Sequence, residues 1–417
     1  MGSGPSHRES GGAPGVAAEL LLGLASRGHR IDCFLPGTGY EPPPRIAAEP
    51  NIRFFWGTHE GRWDRWYARV RVAQFVGGLW GRAFGSIRLR RAVLAQHERD
   101  PYDIAFQFNN IETLAMPRRL RDELPLVIQP GTHSAGELRY MLKEWRLALR
   151  CMPFYTLGLM TAVMGVRVLV QRTMVRRARL VICISSVFRD HVVHDYALPA
   201  DRTVVIPNPV RVERFADAEM SRAVGDPPRV LVLGRVVARK GIEDVVAVAA
   251  LLRERGASAH IRIVGGPSLW SDYTKLLAAL PTENAEYVGR IPPSEVPDQL
   301  ASADLLLQAS SYEPFGLTVV EALASGVPVV ATTEVGAVEG VDPELARLTG
   351  PGEVARMADA IEASLAALAD QPEGVRTRAR AEAARLFASE PVCERVSRAL
   401  EELVHERRAT GGGHLTG

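Results

Sequence analysis

Two glutamates, Glu313 and Glu321, lie eight positions apart on either side of a glycine turn in SSYEPFGLTVVEALASGVPVVAT, residues 310–332. The preceding DLLLQAS is typical of a buried strand, and LTVVEALASG is typical of a helix. The amides of Leu317 and Thr318 would open that helix with unpaired N–H groups, which suit phosphate. The two carboxylates could therefore hold groups on opposite sides of a bound diphosphate, one the sugar and the other the nucleoside.

A second loop supplies cations. LGRVVARKG, residues 233–241, leaves a predicted strand at Gly234 and brings Arg235 and Lys240 into the loop before the next helix. A planar guanidinium fork and an ammonium point charge together suit the paired phosphates of a nucleotide leaving group. Taken alone, this pattern fits a surface lysine that caps a helix equally well.

These loops need a parallel sheet to bring them together. Strand-like runs alternate with helical patterns in both halves of the chain, which predicts two α/β domains with parallel sheets. We expect the domains at 1–205 and 206–390, with a hinge near Pro207, and a C-terminal helix and tail over 391–417 that returns to the first domain. The predicted strands are RIDCFLPG, NIRFFWG, YDIAFQF, LPLVIQPG, RLVICISS, TVVIPN, RVLVLG, IRIVGG, EYVGRI, DLLLQAS and VPVVAT.

Composition narrows the class of protein. A chain of 417 residues with 47% hydrophobic and 24% charged residues can bury more than one core. The four cysteines have no metal-ligand or disulfide spacing, and the N-terminal MGSGPSHRESGGAPG lacks the features of a signal peptide, so we expect a cytoplasmic protein. Residues 1–210 hold 28 Arg and Lys against 18 Asp and Glu, which favours an anionic membrane surface or acidic acceptor, or else a solvated basic face.

Two stretches of the first half are unusual. Residues 151–166 form an uncharged, mostly apolar run that is too short to cross a bilayer, and we expect a buried helix there. Residues 56–91 combine four of the six tryptophans with eight arginines. That composition suits a segment at a membrane interface or one that grips a ligand, but an ordinary helix with a basic outer face fits as well.

These motifs together resemble the retaining glycosyltransferases of the GT-B class, family 4, also called glycosyl transferases group 1. LGRVVARKG resembles the diphosphate-binding element of that family, EPFGLTVVE its Glu-x7-Glu signature, and SGGAPGVAAELLLGLASRGHRI its first glycine-rich loop and helix. The resemblance implies a GT-B fold, in which two Rossmann-like, doubly wound parallel-sheet domains face a central cleft. It also implies a nucleotide-sugar donor and no further cofactor.

The resemblance assigns roles to individual residues. Glu313 would hold hydroxyls of the donor sugar, Glu321 the ribose, and the other residues the diphosphate, the base or the sugar. The expected catalytic residues are Glu313, His133, Arg235 and Lys240. The expected donor-binding residues are Gly12, Arg235, Lys240, Arg290, Glu313, Phe315, Gly316, Leu317, Thr318 and Glu321.

Some positions fit the family less well. His133 follows a predicted strand in a loop longer than usual, so it is either an active-site group or a local hydrogen-bond partner. Glu137 and Asn109–Asn110 are weaker candidates for contacts to the acceptor. The hydrophobic strand that normally precedes the glycine-rich loop is absent from MGSGPSHRES. Either the N-terminus is truncated, which we expect, or the sheet of this protein has an unusual edge.

Several reactions remain open at this stage. Paired carboxylates also serve glycosidases, but the diphosphate-binding elements argue against hydrolysis. The chain has no Asp-x-Asp motif, so we expect no metal.

The resemblance implies transfer, with retention, from a UDP-sugar or, next, a GDP-sugar to a hydroxyl of a glycan, lipid-linked sugar or small metabolite. The alternatives are synthesis of a sugar phosphate or disaccharide, and a non-catalytic membrane-associated protein that binds glycan or nucleotide. We expect peripheral contact with an anionic membrane, at its inner face, and no nucleic acid partner.

Overall fold

A computed structural model describes residues 12–37, 42–59, 87–108, 116–117, 119–215, 223–267 and 272–409 of the chain. Every predicted strand run overlaps an observed strand, and one further strand of the described residues, β12, was not predicted. The strands are β1 Ile31–Gly37, β2 Ile52–His59, β3 Ala105–Phe108, β4 Leu126–Gln129, β5 Leu180–Cys183, β6 Thr203–Val205, β7 Arg229–Leu233, β8 His260–Val264, β9 Ala285–Gly289, β10 Leu305–Gln308, β11 Val329–Thr332 and β12 Ala346–Thr349.

Helices alternate with these strands. They are α1 Ala13–Ala25, α2 Pro44–Ala47, α3 over residues 87–99, α4 Leu120–Glu123, α5 Ser134–Lys143, α6 Trp145–Cys151, α7 Phe154–Arg177, α8 Ser186–Tyr196, α9 Ile242–Glu254, α10 Val296–Ala301, α11 Leu317–Ala324, α12 Val354–Asp370, α13 Pro372–Phe387 and α14 Ser389–Ala409. Short 3₁₀ turns lie at Ala200–Arg202, Val212–Phe215, Ala238–Lys240, Tyr273–Ala279, Pro293–Glu295 and Gly336–Val338.

The sheet of the second half is parallel throughout, in the order β12-β11-β10-β7-β8-β9. Its central strands are buried on both faces; Leu305, Leu306 and Leu307 of β10, for example, are all buried. Continuous apolar runs are typical of parallel sheets covered by helices on both sides. The direction of winding reverses between β7 and β10, and ligands of open α/β sheets bind outside the carboxyl ends of strands at such a reversal.

The first half has a parallel four-stranded sheet in the order β3-β4-β5-β6 and a separate parallel pair, β1-β2. Tyr102, just before β3, donates a hydrogen bond of 2.6 Å to Asp32 on β1, which ties the pair to the larger sheet. Residues 1–11, which precede the glycine-rich loop, lie outside the described residues, so the expected absence of a strand there stays a prediction. TVVIPN supplies β6 at the edge of the first sheet.

The two halves share a core. One continuous cluster of buried side chains joins Val181 and Phe188 of the first half to Leu306 and Val335 of the second. Leu24 of α1 also packs with buried residues of α14 in another cluster. Burial of apolar surface between the halves therefore holds the carboxyl ends of their strands close to one another.

The expectation of a buried helix at residues 151–166 is wrong about burial. A helix is present, but α7 continues to Arg177, and only 11% of its most apolar 18-residue window is buried inside the protein. By length and composition alone α7 is long and apolar enough to cross a membrane, but a single such helix is weak evidence for a membrane span. Most of the tryptophan- and arginine-rich segment at 56–91 lies outside the described residues.

Candidate active site at the sheet reversal

The loops after β7 and β10, together with α11, contain most of the predicted site residues and meet at the reversal of the sheet. Arg235 and Lys240 follow β7, while Glu313 and Gly316 follow β10. A hydrogen bond of 2.9 Å from the amide of Ser311 to the carbonyl of Arg239 joins the two loops. Adjacent parallel strands thus bring the two motifs of the sequence analysis to one edge.

Glu313 is held by two cations. Its Oε2 lies 2.5 Å from Nζ of Lys240 and 2.8 Å from Nη1 of Arg239, and all three side chains are largely buried. Arg239 also donates 3.1 Å to the carbonyl of Tyr312. Burial opposes ionisation of Glu313, but Lys240 and Arg239 outweigh it and lower the pKa of the carboxyl to about 2. We expected Lys240 to bind the diphosphate and Glu313 to bind the donor sugar. In the structure the two side chains form an ion pair with each other.

Arg235 does not share the ion pairing of Arg239 and Lys240 with Glu313. Its side chain is exposed to solvent and forms no hydrogen bond or ion pair within the described part of the chain. The charge of Glu137, on α5 of the first half, acts on both Arg235 and Arg239. A guanidinium left open at the edge of the sheet reversal is suited to an anionic ligand.

The N-terminus of α11 is also open. Gly316 precedes the helix with φ +102°, and no side chain caps it. An added Cβ at Gly316 would lie 2.9 Å from Cγ1 of Val335, so this turn requires glycine. The side chain of Thr318 donates to Gln308 at 3.0 Å rather than to the helix end. The amides of Leu317 and Thr318 therefore remain suited to bind an anion.

Glu321 lies one turn further along α11. Its side chain is partly exposed and has no hydrogen bond or ion pair with another described residue. Burial raises the pKa of this carboxyl to about 7, and the positive charge of Arg214 only partly offsets the effect. A carboxylate that is costly to ionise and has no partner fits a role as acceptor for ligand hydroxyls.

The other predicted donor contacts lie in several environments. Phe315 is buried in the core and packs edge-on against Phe387, so only its backbone can serve a ligand. Arg290 follows the edge strand β9, is exposed, and donates 3.2 Å to the carbonyl of Pro267. Gly12 precedes α1 with φ +83°, and a Cβ added there would meet no described atom within 4 Å. The rest of its loop lies outside the described residues, as do Asn109–Asn110.

His133 reaches the site from the first half of the molecule. It is fully buried, and its Nδ1 lies 2.7 Å from the hydroxyl of Tyr312, next to Glu313. On its other side, Nε2 lies 3.2 Å from Oδ2 of Asp195. Burial lowers the pKa of His133 to about 4 although Asp195 opposes the shift, so the imidazole is neutral at pH 7. In this conformation His133 contacts the second half through Tyr312 and does not face solvent.

Three residues of this arrangement were not predicted from the sequence: Arg239, Tyr312 and Asp195. Arg239 could have been found, since a third cation two positions from a glycine turn has the same access to the loop as Lys240. Tyr312 and Asp195 contact His133 only after folding, across 179 and 62 positions of sequence respectively.

Comparisons with known proteins identify the family of the chain. Residues 10–214 match the sequence model of Glycosyltransferase Family 4, and residues 213–384 match that of Glycosyl transferases group 1. A probable transglycosylase of Burkholderia thailandensis is 25% identical over 362 residues, which cover 83% of this chain and 80% of that protein. An alpha-D-kanosaminyltransferase of Streptomyces kanamyceticus is 29% identical over 230 residues. The match covers 52% of this chain and only 58% of that relative.

Solved structures share the fold. Sucrose-phosphate synthase from Thermosynechococcus elongatus aligns with a TM-score of 0.65 and 20% identity over 96% of both chains. Anabaena HepE in complex with UDP-glucose aligns with a TM-score of 0.59 and 18% identity, over 96% of this chain and 98% of that one. At these identities, the likeness concerns the fold alone.

Proposed function

Because the chain belongs to the group 1 glycosyltransferases of family 4, with the GT-B fold, we propose that it transfers a sugar from a nucleoside diphosphate sugar to an acceptor hydroxyl at the sheet reversal. The observation that carries the proposal is the exposed, unpartnered Arg235, which shares one edge of the described sheet with the uncapped amides of α11. In this proposal these groups, with Lys240, bind the diphosphate. Preorganised positive groups stabilise the negative charge that develops on the leaving phosphate.

The remaining donor contacts follow from the positions of the two glutamates. Glu313, ionised in the described structure, accepts hydrogen bonds from hydroxyls of the donor sugar. Glu321, one helical turn beyond the diphosphate amides, accepts those of the ribose, and the loop at Arg290 meets the base. Solved structures of Anabaena HepE contain UDP and UDP-glucose, which supports UDP as the first nucleotide to test, with GDP next.

The reaction proceeds, in our proposal, with retention of the anomeric configuration. The leaving phosphate assists deprotonation of the acceptor hydroxyl on the same face of the sugar. Contact between the two halves at His133 and Tyr312 excludes water, which would otherwise hydrolyse the donor. The anomeric configuration of the product, read by NMR, tests retention, and inversion would contradict it.

We further propose that the transfer needs no metal. Arg235, Lys240 and the amides of α11 supply the positive charge that a divalent ion would otherwise bring to the diphosphate. Transfer should then continue unchanged in excess EDTA. Activity lost in EDTA and restored by Mg²⁺ or Mn²⁺ would overturn this part of the proposal.

The acceptor and the compartment are also proposals. We propose an acceptor hydroxyl on a glycan, a lipid-linked sugar or a small metabolite, and a cytoplasmic protein. The four cysteines of the chain are all free in the structure, which suits a reducing compartment. A screen of acceptors should therefore include sugar phosphates and free sugars. Transfer to either would reveal synthesis of a sugar phosphate or a disaccharide.

A donor panel tests the proposal directly. Thermal shift and slow donor hydrolysis are measured with UDP- and GDP-sugars for the wild type and Arg235→Ala. Arg229→Ala is the matched control, because Arg229 is an exposed arginine at the opposite end of the same strand, β7. We expect one donor to stabilise the wild type and the control but not Arg235→Ala. Equal stabilisation of all three proteins would contradict the proposed diphosphate site.

A further inference from the structure

The long helix α7 has two different faces. Met164, Gln171 and Val175 are buried against the rest of the protein. On the opposite face, Val166 is 61% and Leu169 64% exposed. Tyr155, Leu159, Val166 and Leu169 recur at spacings of four, seven and three residues, which places them along one side of a helix. Neighbouring apolar side chains exposed along one helix mark an interaction surface rather than scattered surface residues.

The preceding helix α6 extends this surface. Trp145 and Leu149 are both exposed, and the guanidinium of Arg146 lies 5.4 Å from the centre of the Trp145 ring. Phe154, at the start of α7, is 77% exposed. Tryptophan and tyrosine suit a boundary between water and an apolar phase, because one part of each ring system is polar. We call the exposed side chains of α6 and α7 the α6–α7 surface.

The charge of this region has one sign. Residues 145–189 contain eight arginines and no aspartate or glutamate. Arginines with exposed side chains stand at both ends of the α6–α7 surface, and none of them pairs with a carboxylate among the described residues; they are Arg146, Arg150, Arg172, Arg176 and Arg177. An apolar strip bordered by unpaired arginines is complementary to a layer of anionic headgroups over hydrocarbon.

We propose that the α6–α7 surface docks on an anionic lipid bilayer, with α7 lying parallel to the membrane plane. An isologous dimer through the same surface would place the arginine-rich region of one copy against that of the other, which like-charge repulsion disfavours. This proposal is independent of the donor site, and none of its residues belongs to the tryptophan- and arginine-rich segment at 56–91.

The inner face of α7 explains why the helix lies on the membrane and does not span it. The side chain of Gln171 accepts from the backbone amide of Ser134 at 2.7 Å and from the hydroxyl of Tyr196, and it donates to the carbonyl of Thr132 at 2.7 Å. Spanning would break these buried bonds and would place Arg167 and Arg172 in hydrocarbon. Lying flat leaves them intact and buries only the face that is already exposed.

Docking would orient the active site. α7 packs against α5, whose Tyr140 stacks on Tyr312 at 5.0 Å between ring centres. Tyr312 is the neighbour of Glu313 in the loop after β10. The surface is thus connected to the candidate active site through one helix.

Vesicle sedimentation tests the proposal with the full chain. The vesicles contain phosphatidylcholine, alone or mixed with phosphatidylglycerol. The apolar variant is Leu159→Gln/Val166→Gln/Leu169→Gln, and Leu348→Gln is its control, because Leu348 is an exposed leucine in the other half of the molecule. The charge variant is Arg172→Gln/Arg176→Gln, and Arg172→Lys/Arg176→Lys keeps the charge. Thermal midpoints and donor hydrolysis without vesicles confirm that each variant folds.

We expect the wild type to bind the anionic vesicles and not the neutral ones. The apolar variant should bind about tenfold less tightly or worse, and the charge variant roughly twenty-fold less tightly, while Leu348→Gln and the lysine variant bind like the wild type. Wild-type protein that does not bind, or an apolar variant that binds normally, would overturn the proposal. So would a solution dimer that the apolar variant converts to a monomer without any vesicle binding, or protein that resists extraction by high salt and alkaline carbonate.

Discussion

The ammonium of Lys240 lies 2.5 Å from the carboxylate of Glu313. Sequence reasoning assigned these residues to different parts of the donor, the diphosphate and the sugar, yet here each is the other's partner. With Arg239 on the same oxygen, Glu313 stays ionised and oriented before any donor arrives. When a donor binds, these cations would contact both its phosphates and the carboxylate of Glu313. The ion pair therefore holds the cations in position before the donor arrives.

Replacing one partner of this pair should harm the protein more than replacing both. Glu313→Gln leaves two buried cations without their carboxylate, and Lys240→Met weakens the hold on Glu313. Each single change should lower donor hydrolysis about 100-fold or more and cost about 3–5 kcal/mol of stability. A thermal double-mutant cycle with Glu313→Gln/Lys240→Met should show coupling, because the double variant leaves fewer unpaired charges. Additive losses would mean that the two side chains act independently.

Donor affinity should depend on pH through Glu321. Its pKa of about 7 means that the carboxyl is mostly protonated at pH 6 and mostly ionised at pH 8. The ionised form is the stronger acceptor for ribose hydroxyls, so the dissociation constant of the donor should be about tenfold lower at pH 8 than at pH 6. Titration calorimetry at both pH values measures this ratio. In Glu321→Gln the ratio should fall close to one, and an unchanged ratio would assign the titration to another group.

The same carboxyl should reduce stability at high pH. Since the folded pKa of Glu321 is raised above its ordinary value of 4.5, the folded state binds the extra proton between about pH 4.5 and 7. The destabilising effect is therefore absent below that window and complete above it. Glu321→Gln should raise stability by about 1–3 kcal/mol at pH 8 and by almost nothing at pH 4.5. Thermal midpoints across this range, compared with the wild type, test the sign; a variant that is less stable at pH 8 would contradict it.

Removing one hydroxyl should loosen the contact between the two halves. Tyr312→Phe keeps the ring stacked on Tyr140 but removes the oxygen 2.7 Å from Nδ1 of His133, which leaves a buried polar atom of the imidazole without this partner. The cost of about 1–3 kcal/mol should appear as weaker donor binding and a larger fraction of open protein in small-angle scattering. His133→Asn is the companion variant. If both variants scatter and bind like the wild type, this contact does not contribute to closure.

The sequence predicted local structure and the positions of the candidate residues along the sheet well, because both depend on local patterns. The apolar runs of β7 and β10 and the glycines after them were sufficient to place Arg235, Glu313 and Glu321 at one sheet edge. Contacts between the halves could not be predicted in this way. The pairing of His133 with Tyr312 and Asp195 depends on how two sheets pack, which no local spacing encodes.

The exposure of α7 was predicted wrongly for a related reason. An apolar run such as residues 151–166 indicates a helix that avoids water, but it does not say whether protein or another apolar phase covers it. The run was also read as ending before Arg167, whereas the helix continues through the arginines to Arg177. Reading the arginines and the apolar run as one helix would have favoured an interfacial surface from the start.

A pair of matched glycine substitutions should show how closely the loop after β7 approaches β10. Gly241 and Gly256 have nearly equal φ angles, +66° and +67°. An added Cβ at Gly241 would lie 1.8 Å from the carbonyl oxygen of Ala309, whereas at Gly256 it would meet no described atom within 4 Å.

Gly256→Ala should therefore cost only the backbone strain of about 1–2 kcal/mol. Gly241→Ala adds a clash with a buried backbone, and separating the loops would displace Lys240 from Glu313. We expect it to lower the thermal midpoint far more and to abolish donor hydrolysis, while Gly256→Ala keeps its activity. Equal midpoints for the two variants would show that the loop can move away from β10 without loss.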